Sequence, residues 1–122
     1  MIHKDITEKI IACAYRVYNR MGSGFVESVY EKCLVIELRK IVLFVEIQKA
    51  IKVFYEGELV GEFIADLIVN DTVILELKAI RQLAKAHEVQ LVNYLVATGK
   101  PVGLLINFGE DKVDVKRKLR EL

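Results

Sequence analysis

Asp66, Glu76 and Lys78 are the residues of this chain whose types and spacing could do chemistry. They interrupt two very apolar stretches, Leu59–Val69 and Val73–Ala79, which read as strands joined by a short turn. Strands this apolar are usually covered on both faces. A charge inside such a sheet is costly unless it is paired or bound to a metal. Two adjacent carboxylates repel each other and suit a hard divalent cation held through oxygen. Mg²⁺, or Mn²⁺ in its place, needs only one or two of them beside water and substrate phosphate. A metal held by Asp66 and Glu76, with the backbone carbonyl of Leu77 as a further ligand, would lower the pKa of bound water and polarise a phosphate. Lys78 would orient the attacking water or offset charge building in the transition state. The plainer reading is a buried ion pair between Lys78 and one acid, which leaves the other acid without a partner.

Convergence of these side chains depends on the turn. Glu76 and Lys78 share a strand face because side chains alternate. Asp66 joins them only if the turn holds an odd number of residues, with Val69 facing Val73 across Asn70-Asp71-Thr72, or if a bulge has the same effect. Thr72 is a poor residue for the left-handed position that a three-residue turn often wants.

The remaining elements follow from periodicity. Asp5 and Glu8 have capping-box spacing, with Ile6, Ile10, Ala14, Val17 and Met21 recurring behind them as a first helix that Gly22-Ser23-Gly24 ends. A second helix runs from about Val26 to Lys40, with Val29, Cys33, Ile36 and Lys40 tracing one face and Tyr30, Leu34 and Leu38 flanking it. Glu27 sits in its first turn, where the helix dipole alone would favour a carboxylate. Phe44–Tyr55, the Glu56-Gly57 turn and Leu59–Val69 form a hairpin, and Val73–Ala79 extends it to a meander. A third helix, Leu83 to Thr98, stops at Gly99; Leu91 and Leu95, with Ala84, Val92 and Val96, supply its core face. Leu83, His87, Gln90 and Tyr94 share another side of it, and His87 reads as a surface or hydrogen-bonded histidine rather than a ligand. Val102–Phe108 is a buried strand beside the Glu76 strand, reached by a parallel crossover. The basic tail after Gly109 reads as solvated surface. The order α-α-β-β-β-α-β gives an α/β fold of the α+β kind, helices flanking a mixed sheet, in a single domain over residues 1–122.

Composition narrows the classes. With 18 Lys+Arg against 17 Asp+Glu, any nucleic-acid surface must be a local patch. Cys13 and Cys33 read as small buried hydrophobes, and two histidines beside them make a structural zinc site a poor fit. No signal peptide opens the chain and no apolar run reaches the roughly 18 residues of a membrane span. The expectation is a cytoplasmic protein with no membrane partner. A GxSxG elbow, a P-loop and a GxGxxG fingerprint are all absent.

Asp66 followed by Glu76-Leu77-Lys78 resembles the PD-(D/E)xK nuclease signature, although Ala65 stands where the usual Pro would precede the first acid. Gly24-Phe25-Val26-Glu27-Ser28-Val29-Tyr30 matches the GxxExxY pattern letter for letter. With Phe63–Val69, Glu76–Ala79 and Gln90–Leu95, the chain from Ile6 to Gly109 resembles the GxxExxY family of that superfamily. The resemblance implies a restriction-endonuclease-like core, with Asp66 and Glu76 as metal-binding acids and Lys78 as the catalytic lysine. Glu27 would be an upstream acid completing the site, and Gln90 and Tyr94 a QxxxY element near substrate. Ile64 stands where that family is expected to carry Arg.

Three functions are open on these grounds. The first is a Mg²⁺-dependent nuclease or nuclease-like phosphodiesterase acting on DNA or RNA. The second is a catalytically inactive module of the same fold that binds nucleic acid or protein, motivated by the near-neutral charge, Ile64 and the small size. The third is a homodimer whose job is scaffolding, for which the 53% apolar content would supply an extra interface.

Overall fold

Asn70-Asp71-Thr72 is a three-residue turn, as the parity argument requires: Val69 pairs with Val73, Ile68 with Ile74 and Leu67 with Leu75. Its left-handed residues are Asn70 (φ 50°) and Asp71 (φ 53°), which tolerate that conformation, so Thr72 never has to adopt it. The structure, a computed structural model, describes residues 3–120. Among these residues three helices and five strands follow in the order α1 (Lys4–Met21), α2 (Glu27–Lys40), β1 (Val45–Tyr55), β2 (Glu58–Val69), β3 (Val73–Lys78), α3 (Lys85–Thr98), β4 (Val102–Phe108) and β5 (Val113–Leu119).

The strands form one mixed sheet in sequence order, antiparallel except for the β3–β4 pair. β3 and β4 are parallel because α3 carries the chain back between them. α1 and α2 cover one face around Ile10, Val17, Tyr30, Leu34, Leu38, Leu75 and Leu104. α3 alone covers the other, its Leu91, Tyr94 and Leu95 packing on Ile68, Ile74 and Leu105. This is the α+β, restriction-endonuclease-like layering expected from the sequence, with one strand added.

Four local expectations are corrected. The tail is not merely solvated surface: Val113–Leu119 is an edge strand, β5, paired antiparallel with β4 from Phe108↔Val113 to Val102↔Leu119. Its charges hide it: Val113 and Val115 pack on the core, but Asp114 and the run Lys116-Arg117-Lys118 make up most of the rest of the strand. The buried face of α2 is Tyr30, Leu34, Val35, Glu37 and Leu38, whereas Ile36 is 56% exposed. Glu37 disguised that face; it is buried because Arg16 and Lys40 both bond its carboxylate at 3.3 Å. Asp5 does not cap α1, which begins at Lys4 after a left-handed His3 and has no side-chain cap. On α3, Leu91 and Leu95 are buried as expected, but Tyr94 joins them while Val96 is exposed and Ala84 lies outside the helix.

One feature of β1 and β2 shapes everything distal to it. Val45, Leu67 and Val69 pack with α1 and α2, yet Ile51 and Ala65 pack with α3. Odd-numbered residues of a regular strand share one face, so both strands exchange faces between these points. The exchange falls at Gln48 and Asp66: the ladder runs Ile47↔Leu67, then Lys49↔Ala65, with no rung between. Beyond it the hairpin continues as a two-stranded ribbon to the Glu56-Gly57 turn, both of whose residues have positive φ.

Gly103 shows how closely α3 sits on β4. A Cβ there would lie 2.6 Å from Leu91 Cδ1 and 3.2 Å from the Ile74 carbonyl oxygen. Leu91 is fully buried and the carbonyl is backbone, so neither can retreat freely. Gly103→Ala is expected to destabilise the protein by about 1–3 kcal/mol through overpacking. Urea unfolding monitored by circular dichroism checks this; an unchanged midpoint would mean that α3 lifts off without cost.

Candidate active site

Four elements, β2, β3, α2 and α3, carry the predicted residues around the end of the β2–β3 ladder. The last rung of that ladder is Leu67↔Leu75. At the next position the acids replace the backbone pairing. The Asp66 N–H donates to Glu76 Oε2 at 2.8 Å, and the Leu77 N–H donates to Asp66 Oδ2 at 2.8 Å. Each carboxylate therefore satisfies a backbone donor of the opposite strand, which burial would otherwise leave unpaired. Each keeps its second oxygen, Asp66 Oδ1 and Glu76 Oε1, out of these bonds.

Glu76 is 5% exposed. Burial and then the neighbouring Asp66 push its pKa up to about 8, against the opposing pull of the Asp66 N–H and Lys78. Lys78 is half-buried and close enough to be felt by both Glu76 and Glu27. It forms no ion pair with Asp66 or Glu76 among the described residues, so the plainer reading of a buried salt bridge is not what the structure contains. Leu77 places its side chain in the α1–α2 core and its N–H on Asp66.

The Gly24–Tyr30 segment positions Glu27 by a division of labour. Gly24 has φ 100°, a conformation L side chains rarely adopt. Tyr30 is fully buried, stacks on Phe108 with ring centroids 4.5 Å apart, donates from its hydroxyl to the Gly22 carbonyl at 2.6 Å and accepts from the Phe25 N–H. The loop is thus pinned to the core, and α2 begins at Glu27. The Glu27 carboxyl is pushed up by burial and then by Asp66, while Lys78 pulls it down.

From the opposite layer, Tyr94 is buried and its hydroxyl pKa is raised by burial, then by Glu76 and Asp66. Gln90 is exposed one turn earlier. Both line a groove of about 840 Å³ between α3 and the ribbon, together with Phe54 and Phe63; the Phe63 and Tyr94 rings lie 5.7 Å apart. His87 does not join the site: its Nδ1 accepts the Ala84 N–H at 2.9 Å and braces the start of α3.

Three residues of this region were not singled out from the sequence. Glu31, one turn after Glu27, bonds Gln48 Nε2 at 2.7 Å, and its carboxyl is raised by burial, with Asp66 and Glu27 adding to the effect. The i, i+4 spacing from Glu27 was a usable signal. Gln48 had none, because its part is set by the face exchange. Asn107, buried opposite Lys78, donates to and accepts from the Ile80 backbone at 2.8 and 3.0 Å, holding the chain as it leaves β3.

The free oxygens of Asp66 and Glu76 are hard donors of the kind Mg²⁺ or Mn²⁺ takes. The described residues contain no closed group of three or more His, Cys, Asp or Glu side chains set to hold a metal. Two carboxylates with water and phosphate completing the shell is nevertheless a normal arrangement for Mg²⁺, so the donor set fits.

A model of the PD-(D/E)XK nuclease superfamily matches residues 4–118. The chain belongs to that superfamily. A solved structure titled "Crystal structure of SSO0001" is similar over 78% of this chain and 50% of that one, with a TM-score of 0.59 and 18% identity. At that identity the likeness concerns the fold, and this chain spans half of the other's length. No curated protein matches significantly. Among the described residues no helix is long and apolar enough to cross a membrane.

The raised Glu76 pKa has a stability consequence with a definite sign. The folded protein holds a proton that the unfolded chain releases near pH 4.5, so metal-free stability falls as pH rises from about 4.5 to about 8. The slope has an upper bound of about 1.4 kcal/mol per pH unit. Thermal melts in chelator across this range should show the decline, and Glu76→Gln should flatten it. A parent profile that rises with pH would contradict the assignment.

Proposed function

We propose that the chain is a divalent-metal-dependent nuclease that hydrolyses phosphodiester bonds in nucleic acid, with Asp66 and Glu76 as the metal-binding acids. The observation that carries this reading is the reciprocal bonding of the two carboxylates at the ladder end. It fixes a buried Glu76 beside a half-buried Asp66 and leaves one oxygen of each outside the pairing. Membership of a nuclease superfamily supports the reaction class. The sequence resemblance to the GxxExxY family supports the assignment of Glu27 and Tyr30, whose separate roles in site and loop the contacts make intelligible.

Asp66 and Glu76 would hold Mg²⁺, with Mn²⁺ as a substitute, and the Leu77 carbonyl is a further donor. When bound, such an ion supplies charge on the phosphate and an acidified water. Every other contribution belongs to the chain. Among the described residues Lys78 makes no ion pair with Asp66 or Glu76, so its ammonium can meet the non-bridging phosphate oxygens, where negative charge builds in the transition state. Glu27 stands across from Lys78 with a raised carboxyl; it can accept a proton from water entering from the α2 side. Tyr94 and Gln90 offer a hydroxyl and an amide on the α3 side, at the mouth of the aromatic groove, where the nucleic-acid chain would lie. Near-neutral net charge makes this grip depend on local groups rather than on the overall field.

Cleavage of a panel of labelled single- and double-stranded DNA and RNA with Mg²⁺ or Mn²⁺ tests the proposal. Asp66→Asn, Glu76→Gln and Lys78→Ala, purified in parallel, should each lower the rate by about 10²-fold or more. Equal cleavage by parent and variants would assign the activity to a contaminant. Binding of nucleic acid that survives Lys78→Ala, with no turnover by the parent, would establish the non-catalytic module instead.

A further inference from the structure

Gln48 lies directly across from Asp66, at the missing rung of the β1–β2 ladder. Its φ of 50° puts it in the left-handed region although it is not glycine, a conformation that costs free energy and persists only where surroundings impose it. A residue in that conformation rotates the strand out of phase, so that the next side chain emerges on the opposite face. The face exchange in β1 and its counterpart in β2 occur together at these two positions. The Gln48 amide is also tied: Nε2 donates to Glu31 Oε1 at 2.7 Å, joining β1 to the helix that carries Glu27.

We propose that Gln48 is a positioning residue for Asp66. Its left-handed backbone, latched to α2 by the bond to Glu31, makes the face exchange that delivers the Asp66 carboxylate to the Leu77 N–H and the metal-binding side of Glu76. A regular β1 would keep pairing through this point. Asp66 would then be one more rung of the sheet, and the neighbouring Ala65 and Phe63 would turn from α3 toward α2.

The part concerning metal rests on the proposed function, so two independent readouts are needed. The first is hydrogen exchange of the Leu77 amide by nuclear magnetic resonance, which senses the Asp66 bond without any metal. The second is Mn²⁺ affinity by calorimetry. Gln48→Gly accepts the left-handed conformation freely, whereas the β-branched Gln48→Val resists it. The glycine variant should stay within about threefold of the parent in both readouts, and the valine variant should show about tenfold faster Leu77 exchange and about tenfold weaker Mn²⁺ binding. Gln48→Ala, a milder resistance, should fall between them and stands in if the valine protein does not fold. Glu31→Ala should speed Leu77 exchange in the parent and add nothing in the Gln48→Gly background.

A folded valine variant with parental Leu77 exchange, or a glycine variant as impaired as valine, would overturn the positioning role. Additive effects of Glu31→Ala and Gln48→Gly would overturn the latch. Asp66→Asn separates the two levels. If it leaves Mn²⁺ affinity unchanged, the metal site is wrong, while the exchange series still decides whether Gln48 sets Asp66.

Discussion

The exchange of two hydrogen bonds at the end of the β2–β3 ladder is the interaction on which the rest of the site depends. A sheet that splays leaves N–H groups without partners, and buried N–H groups must find acceptors. Here the acceptors are carboxylates, so the strand ends are closed by the same two side chains that could bind a cation. A backbone N–H to each acid also partly offsets the cost of burying it. That offset is incomplete at Glu76, as its raised pKa records. The site thus stores an electrostatic tension between two acids that a hard cation would relieve, and each element around it fixes one side of that arrangement.

Which elements do so explains the layering. α2 presents Glu27 and Glu31 from one side, because Tyr30 anchors its first turn against Phe108. α3 presents Tyr94 from the other, because Gly103 lets the helix settle on β4 within contact of Leu91. Asn107 on β4 then holds the chain just past Lys78. The parallel β3–β4 pair is therefore more than a crossover. It carries Glu76 and Lys78 on one strand and the supports for α3 and for the β3 exit on the other.

Much of this was legible from residue types. The parity of the Asn70-Asp71-Thr72 turn and the pairing of β3 with Val102–Phe108 follow from alternation and crossover rules, and the structure contains both; Glu27 was pointed to only by the family resemblance, since its place in the first turn of a helix has an explanation of its own. What was not legible has common physical causes. β5 holds an acid and three successive cations among its few apolar residues, so its charges hid its strand period. The α2 face was misread by one position because a carboxylate, Glu37, sits in it, buried by partners that lie on other turns. The face exchange at Gln48 has no sequence signal at all. A left-handed residue in mid-strand is announced by Gly or Asn, and here it is Gln, held by a contact with a helix seventeen positions away.

That last case shows why the parity argument gave the correct face for Asp66 by a route that covers only part of the strand. Counting from the turn, Asp66 falls on the side of Ile68 and α3, which agrees with its influence on Tyr94. Counting from the ribbon, through Phe63 and Ala65, it would fall on the side of α2. Both counts are locally right, because Asp66 is the residue at which the two phases meet. Standing at that junction, it is felt by Glu27 and Glu31 on α2 as well as by Tyr94 on α3. A strand residue in regular alternation would serve one layer only; the break in phase is what lets a single carboxylate serve both.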